Sequence, residues 1–237
     1  LVDPRPLDVD LRVPAARKVR EGLAFRYPHD GGDFTQAVHR CTGVGKCRAD
    51  NTGTGGVMCP SYLATREEKD STRGRARVLQ EMLDGRLVTD SWSSPEVHEA
   101  LDLCLSCKGC LSDCPTGVDM ATWKSEVLYQ TYKGRRRPAV HYSLGRLPQW
   151  AALASRAPRV VNALSRIPGV AAAGLTLAGL DRRRTVPAFA PRTFRRWFAD
   201  TLPQRSRTGG PVLLFVDTFT EYFTPEVGIA AVRVLEA

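Results

Sequence analysis

The sequence predicts a mainly α-helical chain, on three observations. Two segments carry apolar residues at helical spacing that end in a cysteine: Phe34, Ala37, Val38 and Cys41, then Val97, Ala100, Leu101 and Cys104. A shift of 63 positions superposes these two stripes and also places Cys47 on Cys110, so the region is an internal repeat. Few strand signals appear before Pro211.

Each element has its own justification. Asp33 with Gln36 resembles a capping box for the first helix, and Ser94 followed by Pro95 supplies a cap and a first-turn proline for its counterpart. Val78, Leu79, Met82 and Leu83 form a helical stripe closed by Gly85. Asp119 is placed to cap a helix that buries Met120, Trp123 and Val127. "RRRP" at 135–138 breaks that helix, and "LPQWAALASRAPRVVNALSRIPGV" reads as short amphipathic helices punctuated by prolines. After Pro211, "VLLFV" reads as a buried strand, and the residues from Pro225 onward as the helix of an α/β unit.

The totals set limits. At 237 residues, 43% apolar and 25% charged, the chain has the composition of a globular protein of one or two domains. No run reaches the roughly 18 to 20 apolar residues of a membrane span; 167–180 is too short and too rich in Gly and Ala. The start, "LVDPRPLDVDLR", lacks the basic-then-apolar order of a signal peptide. Both ends read as cut, so a segment of a longer polypeptide is expected. The net charge of +9 is concentrated: residues 134–208 carry +13, and the remainder −4.

Seven cysteines without a secretory signal point to metal rather than disulfides. Cys104, Cys107, Cys110 and Cys114 follow C-x2-C-x2-C-x3-C-P, in which three thiolates grip one [4Fe–4S] cluster and the fourth ligates a second. Zinc sites more often come as separated C-x2-C pairs. In the repeat, Cys59-Pro60 answers to Cys114-Pro115 after a Gly-rich insertion, "NTGTGGVM", and Val44 stands opposite Cys107. By the crossed rule, Cys59, Cys104, Cys107 and Cys110 complete one [4Fe–4S] cluster. Cys41, Cys47 and Cys114 leave the other with three thiolates. Three outcomes stay open there: a [3Fe–4S] cluster, a [4Fe–4S] cluster completed by His39, another side chain or water, or an empty site.

These residues carry a resemblance. "RCTGVGKCR", "MCPSYLATREEKDSTRGRARVLQEML" and "LCLSCKGCLSDCPTGVDMATWKSE" resemble the iron–sulfur region of bacterial FAD-linked 2-hydroxy-acid dehydrogenases and oxidases, of the D-lactate, glycolate and D-2-hydroxyglutarate type. The iron–sulfur subunit of anaerobic glycerol-3-phosphate dehydrogenase is a more distant relative. The resemblance implies an α-helical ferredoxin-like two-cluster domain. It also implies a tail (1–26) after an upstream flavin domain, the iron–sulfur domain (27–133), a helical basic linker (134–208), and the first β-α unit of a truncated α/β cysteine-rich domain (209–237). The function it implies is one-electron relay from FAD, held outside this segment, to a quinone, a cytochrome or another acceptor. No residue of the segment itself is expected to be catalytic. The alternatives are a separate iron–sulfur subunit of the glycerol-3-phosphate type, or a cluster-containing nucleic-acid regulator.

Two features admit a sharp and a bland reading. Arg73, Arg75 and Arg77 in "TRGRAR" either raise the potential of an anionic cluster or form a solvated first helical turn. The arginines of 134–208, with Trp150, Phe194, Trp197 and Phe198 among them, fit packing on the flavin domain, contact with an anionic membrane, or nucleic acid. The expectation is a cytoplasmic protein with at most peripheral membrane contact and no nucleic-acid partner. No phosphate-binding glycine fingerprint is present.

Overall fold

Helices begin where the sequence supplies caps. In the computed structural model, which describes residues 18–50, 52–89, 91–201 and 210–236, α1 (Phe34–His39) starts at Asp33. The buried Asp33 carboxylate accepts the Thr35 amide at 2.9 Å and the Val19 amide at 3.1 Å. Most of the tail expected at 1–26 lies outside the described residues. α2 (Pro60–Thr65) follows Cys59, and α3 (Thr72–Asp84) is capped by Ser71, whose Oγ accepts the Gly74 amide at 2.9 Å. Gly85, at φ 74°, ends α3 as expected. α4 (Pro95–Asp102) has Pro95 in its first turn; the Ser94 hydroxyl turns to Glu96 rather than to the helix amides. α5 (Gly109–Asp113) and α6 (Met120–Tyr132) complete this half, with Asp119 accepting the Thr122 amide at 3.1 Å.

The expected stripes are the core. Phe34, Ala37, Val38, Leu79, Met82, Leu83, Val97, Leu101, Met120, Trp123 and Val127 are buried together, each large side chain contributing about 1.5–3 kcal/mol of apolar burial. Buried polar groups are matched by partners. Glu126, fully buried on α6, accepts the Ala24 and Phe25 amides at 3.0 and 3.1 Å and the Gln130 amide at 2.8 Å. It thereby ties residues 24–27 to α6. Burial, and then Glu126, push the neighbouring Tyr27 phenol well above its usual range. Gln80 reaches from α3 to the carbonyls of Val38 and Cys41.

The chain divides between Arg135 and Arg136 into two compact units. The second contains α7 (Ala139–Ser143), α8 (Leu147–Ala154), α9 (Pro158–Ser165), α10 (Pro168–Leu177), α11 (Phe194–Thr201), α12 (Thr218–Tyr222) and α13 (Pro225–Glu236). Prolines in the first turns of α8, α9 and α10 punctuate them as the sequence predicts. Phe194 packs on Gly228, where a Cβ would lie 2.6 Å from its ring, and stacks with Trp197 and Phe198. Those aromatics pack on one another instead of forming an outward row for bases. The expected strand does not form: no strand exists among the described residues, and Leu213 is 96% exposed. A strand is made by its ladder, and 212–216 has no neighbouring strand among the described residues. The helix expected after it is α13.

No single described helix is long and apolar enough to cross a membrane. α9 and α10 together reach that composition but meet at a 98° bend.

Candidate metal centre

All seven cysteines are free thiols in the first unit. Cys41, Cys47, Cys59 and Cys110 are buried, Cys104 and Cys114 half-buried, and Cys107 exposed. Among the described residues, no three Cys, His, Asp or Glu side chains converge as closely as a single metal ion requires.

Cys41, Cys47 and Cys114 line one small pocket, with Val44, Met58, Thr72, Arg73 and Thr116 in its wall. Thus Cys114 of the second motif lines the same pocket as Cys41 and Cys47 of the first. The three sulfurs make a donor set suited to iron–sulfur chemistry. His39 is not in that wall; its Nδ1 lies 2.8 Å from the Thr35 carbonyl.

The segment that precedes Cys59 is held through its backbone. Val57 packs on Gly109, where a Cβ would lie 2.9 Å from Val57 Cγ2 and 3.1 Å from its carbonyl oxygen. The Val57 amide donates to Asp113 Oδ2 at 2.7 Å, which together with Ser112 holds that carboxyl below the usual range. The end of the Gly-rich insertion therefore docks on the start of α5, with Val57 two residues before Cys59 and Gly109 one residue before Cys110. The Cys59 thiol stands near enough to Cys47 to affect it.

The repeat extends to the amides that face sulfur. The Arg73 amide, in the first turn of α3, donates to Cys47 Sγ at 3.3 Å. The Met120 amide, at the start of α6, donates to Cys110 Sγ at 3.4 Å. In each half a capped helix turns its positive end toward the corresponding cysteine. Thr116 Oγ1 lies 3.2 Å from Cys114 Sγ, and Lys124 Nζ donates to the Cys104 carbonyl at 2.7 Å.

Burial dominates the ionisation of Cys110 and Cys47. It pushes Cys110 up to about 11, opposed by the Met120 amide and assisted by Asp119, Cys104 and Cys107. It raises Cys47 too, against the Arg73 amide and together with the Cys59 and Cys41 thiols. Buried, clustered thiols of this kind ionise when a cationic core supplies the counter-charge.

The three arginines of "TRGRAR" part company. Arg73 Nε pairs with Glu68 at 2.7 Å and Arg77 with Glu81 at 3.3 Å, both toward solvent. Arg75 is turned inward and is 2% exposed. Gly74 between them is required by packing: a Cβ there would lie 1.9 Å from the Glu68 carbonyl oxygen. Composition and periodicity do not distinguish these arginines. Nor does the sequence alone pick out Lys124 or Thr116, whereas the Met120 amide follows from the Asp119 cap.

Residues 36–118 match the 4Fe-4S dicluster domain. The chain is 30% identical over 234 residues to a D-2-hydroxyglutarate dehydrogenase of Pseudomonas putida, covering 81% of this chain and 23% of that protein. It is 26% identical over 243 residues to the Escherichia coli protein of the same name, covering 83% of this chain and 23% of that protein. It is 35% identical over 81 residues to the glycolate oxidase iron-sulfur subunit of Escherichia coli, covering 34% of this chain and 17% of that protein. No solved structure matches. The fold and the cysteine sites define a two-cluster, helical iron–sulfur domain for electron transfer. More particularly, the chain is an iron–sulfur segment related to D-2-hydroxyglutarate dehydrogenases and glycolate oxidase iron–sulfur subunits, and it spans 23% of the length of those dehydrogenases.

Proposed function

We propose that the segment relays single electrons from the flavin of an FAD-linked 2-hydroxy-acid dehydrogenase to a quinone, a cytochrome or another acceptor. The observation that carries this reading is that Cys41, Cys47 and Cys114 line one pocket while Val57, just before Cys59, docks on Gly109, just before Cys110. Bound iron–sulfur clusters would supply one-electron chemistry at these sulfurs. The chain's residues set their surroundings. Cys59, Cys104, Cys107 and Cys110 would hold a [4Fe–4S] cluster. Cys41, Cys47 and Cys114 would hold a [3Fe–4S] cluster, because Val44 brings no donor and His39 is outside the pocket wall. The Arg73 and Met120 amides favour negative charge on the sulfurs they face.

The size of the related dehydrogenases supports a flavin domain in the same polypeptide over a separate subunit. The likeness to D-2-hydroxyglutarate dehydrogenases makes D-2-hydroxyglutarate the first substrate to assay. On the second unit, Trp150, Leu153, Val160 and Leu164 are exposed among Arg156, Arg159 and Arg166. This mixed face supports packing against the flavin domain or peripheral contact with an anionic membrane from the cytoplasmic side.

The test is EPR with iron and sulfide analysis on anaerobically purified full-length protein. A near-isotropic signal in the oxidised state and about seven irons per chain are expected. A silent oxidised state with about eight irons would replace the three-iron assignment with a completed cube. Flavin reduced by D-2-hydroxyglutarate but passing no electrons to the clusters would overturn the relay.

A further inference from the structure

Arg75 is a buried cation whose visible neighbours do not neutralise it. Its Nε donates to the Ala100 carbonyl at 2.8 Å, its Nη2 to Ser61 Oγ at 2.9 Å, and its Nη1 to Cys59 Sγ at 3.5 Å. Among the described residues no carboxylate lies within ion-pair reach of it. A guanidinium keeps its charge at every pH a protein tolerates, and an unpaired charge in the interior costs several kcal/mol. The first turns of a helix, where α3 places it, are themselves unfavourable to a cation. Position, burial and hydrogen bonds therefore all require a negative group nearby, and the one acidic sulfur it touches is Cys59.

We propose that Arg75 is the positioning and counter-charge residue of the cluster ligated by Cys59, and that it raises that cluster's reduction potential. The inference rests on the crossed ligand set described above. Cys59 Sγ also receives the Thr72 hydroxyl at 3.4 Å, so as a thiolate it would accept two hydrogen bonds, one of them charge-assisted. Anchoring to the Ala100 carbonyl, near the end of the helix that leads to Cys104, fixes the guanidinium between Cys59 and α4. Reduction adds one electron, and so one negative charge, to a thiolate-ligated cluster. The electron comes from the reduced flavin in the proposed reaction, or from dithionite in the test. A fixed positive charge beside a ligand sulfur favours the more negative, reduced form. Arg73 and Arg77, already paired with Glu68 and Glu81 near solvent, lack this role.

The experiment is a mediated redox titration followed by EPR on full-length protein, comparing wild type with Arg75→Gln and Arg75→Lys. Gln keeps a donor without the charge; Lys keeps the charge without the fork. For Arg75→Gln the reduction equilibrium of the four-thiolate cluster should fall at least tenfold, about 59 mV for one electron. Arg75→Lys should stay near wild type, and the three-thiolate cluster should be unmoved in both. Equal shifts in the two variants would reduce Arg75 to a packing role and overturn the inference, as would no shift. A shift confined to the three-thiolate cluster would keep Arg75 as counter-charge but move Cys59 to the other site, overturning the crossed ligand set instead. Wild-type protein labelled with guanidino-¹⁵N arginine provides a test that needs no variant to fold. Pulsed EPR of the reduced four-thiolate cluster should show coupling to a guanidinium nitrogen, and its absence would also overturn the proposal.

Discussion

Val44 and Cys107 occupy the same place in the two halves of the repeat. Gly43 and Gly45 flank Val44 at φ 87° and 81°, and Ser106 and Lys108 flank Cys107 at φ 53° and 59°. Both loops therefore place left-handed backbone on either side of the central residue, although only the first uses glycine to do so. Val44 is 63% exposed, and Cys107 is exposed as well. The first loop thus shares the flanking backbone pattern of the second and carries Val44 where the second carries a sulfur.

Val44→Cys should therefore restore a ligand without remodelling the loop. Iron should rise from about seven to about eight per chain, with loss of the near-isotropic oxidised signal. Val44→Ala should change neither. Unchanged iron in Val44→Cys would mean that the pocket is already complete.

Gly109→Ala tests how Cys59 is delivered. The new Cβ would meet the Val57 backbone as well as its side chain, so trimming Val57 to Ala should not rescue it. Loss of the four-thiolate signal with retention of the three-thiolate one is the expected outcome. Gly74→Ala, by contrast, should act on the whole domain. Its Cβ must displace the Glu68 backbone, at a cost of about 3 kcal/mol in denaturant unfolding.

Glu126→Gln should loosen the segment it holds. An amide group there faces the Ala24 and Phe25 donors with a donor of its own. A loss of about 2 kcal/mol, or roughly thirty-fold faster hydrogen exchange at those two amides, is expected. Exchange that stays at the wild-type rate would show that other contacts hold residues 24–27.

Asp119 gives a pH dependence. Burial opposes its ionisation, but hydrogen bonds from Lys108 and Thr122 outweigh that and hold the carboxyl below its usual range. A depressed folded value means that the contribution is complete above the unfolded value, about 3.9, and is lost as pH falls through the lower one. The difference in urea midpoint between wild type and Asp119→Asn should be constant around neutrality and shrink below roughly pH 4. A difference that grows on acidification would reverse the assignment.

Much of this site was legible before the structure, for reasons of local chemistry. Asp33, Gly85, Asp119 and the helix prolines act through neighbours in sequence, so spacing reveals them. The repeat revealed Val44 because both halves solve the same geometric problem. Arg75 was not separable from Arg73 and Arg77, since direction of burial depends on contacts with Ala100 and Ser61 far along the chain. Glu126 was missed because its partners are backbone amides about a hundred residues earlier. The run 212–216 forms no strand among the described residues, because apolar composition says what a segment can do beside a partner strand, and none of the described residues supplies one.

The convergence of Cys41 and Cys114 on one pocket has a consequence for how the chain holds together. A single inorganic group bound to both sulfurs would close a loop of about seventy residues. Cross-linking at that separation removes about 4 kcal/mol of disorder from the unfolded ensemble. With no disulfide among its cysteines, the domain would thus obtain from its electron carrier the kind of covalent girdle that secreted domains obtain from disulfides. Loss of iron and loss of fold would then be one event rather than two.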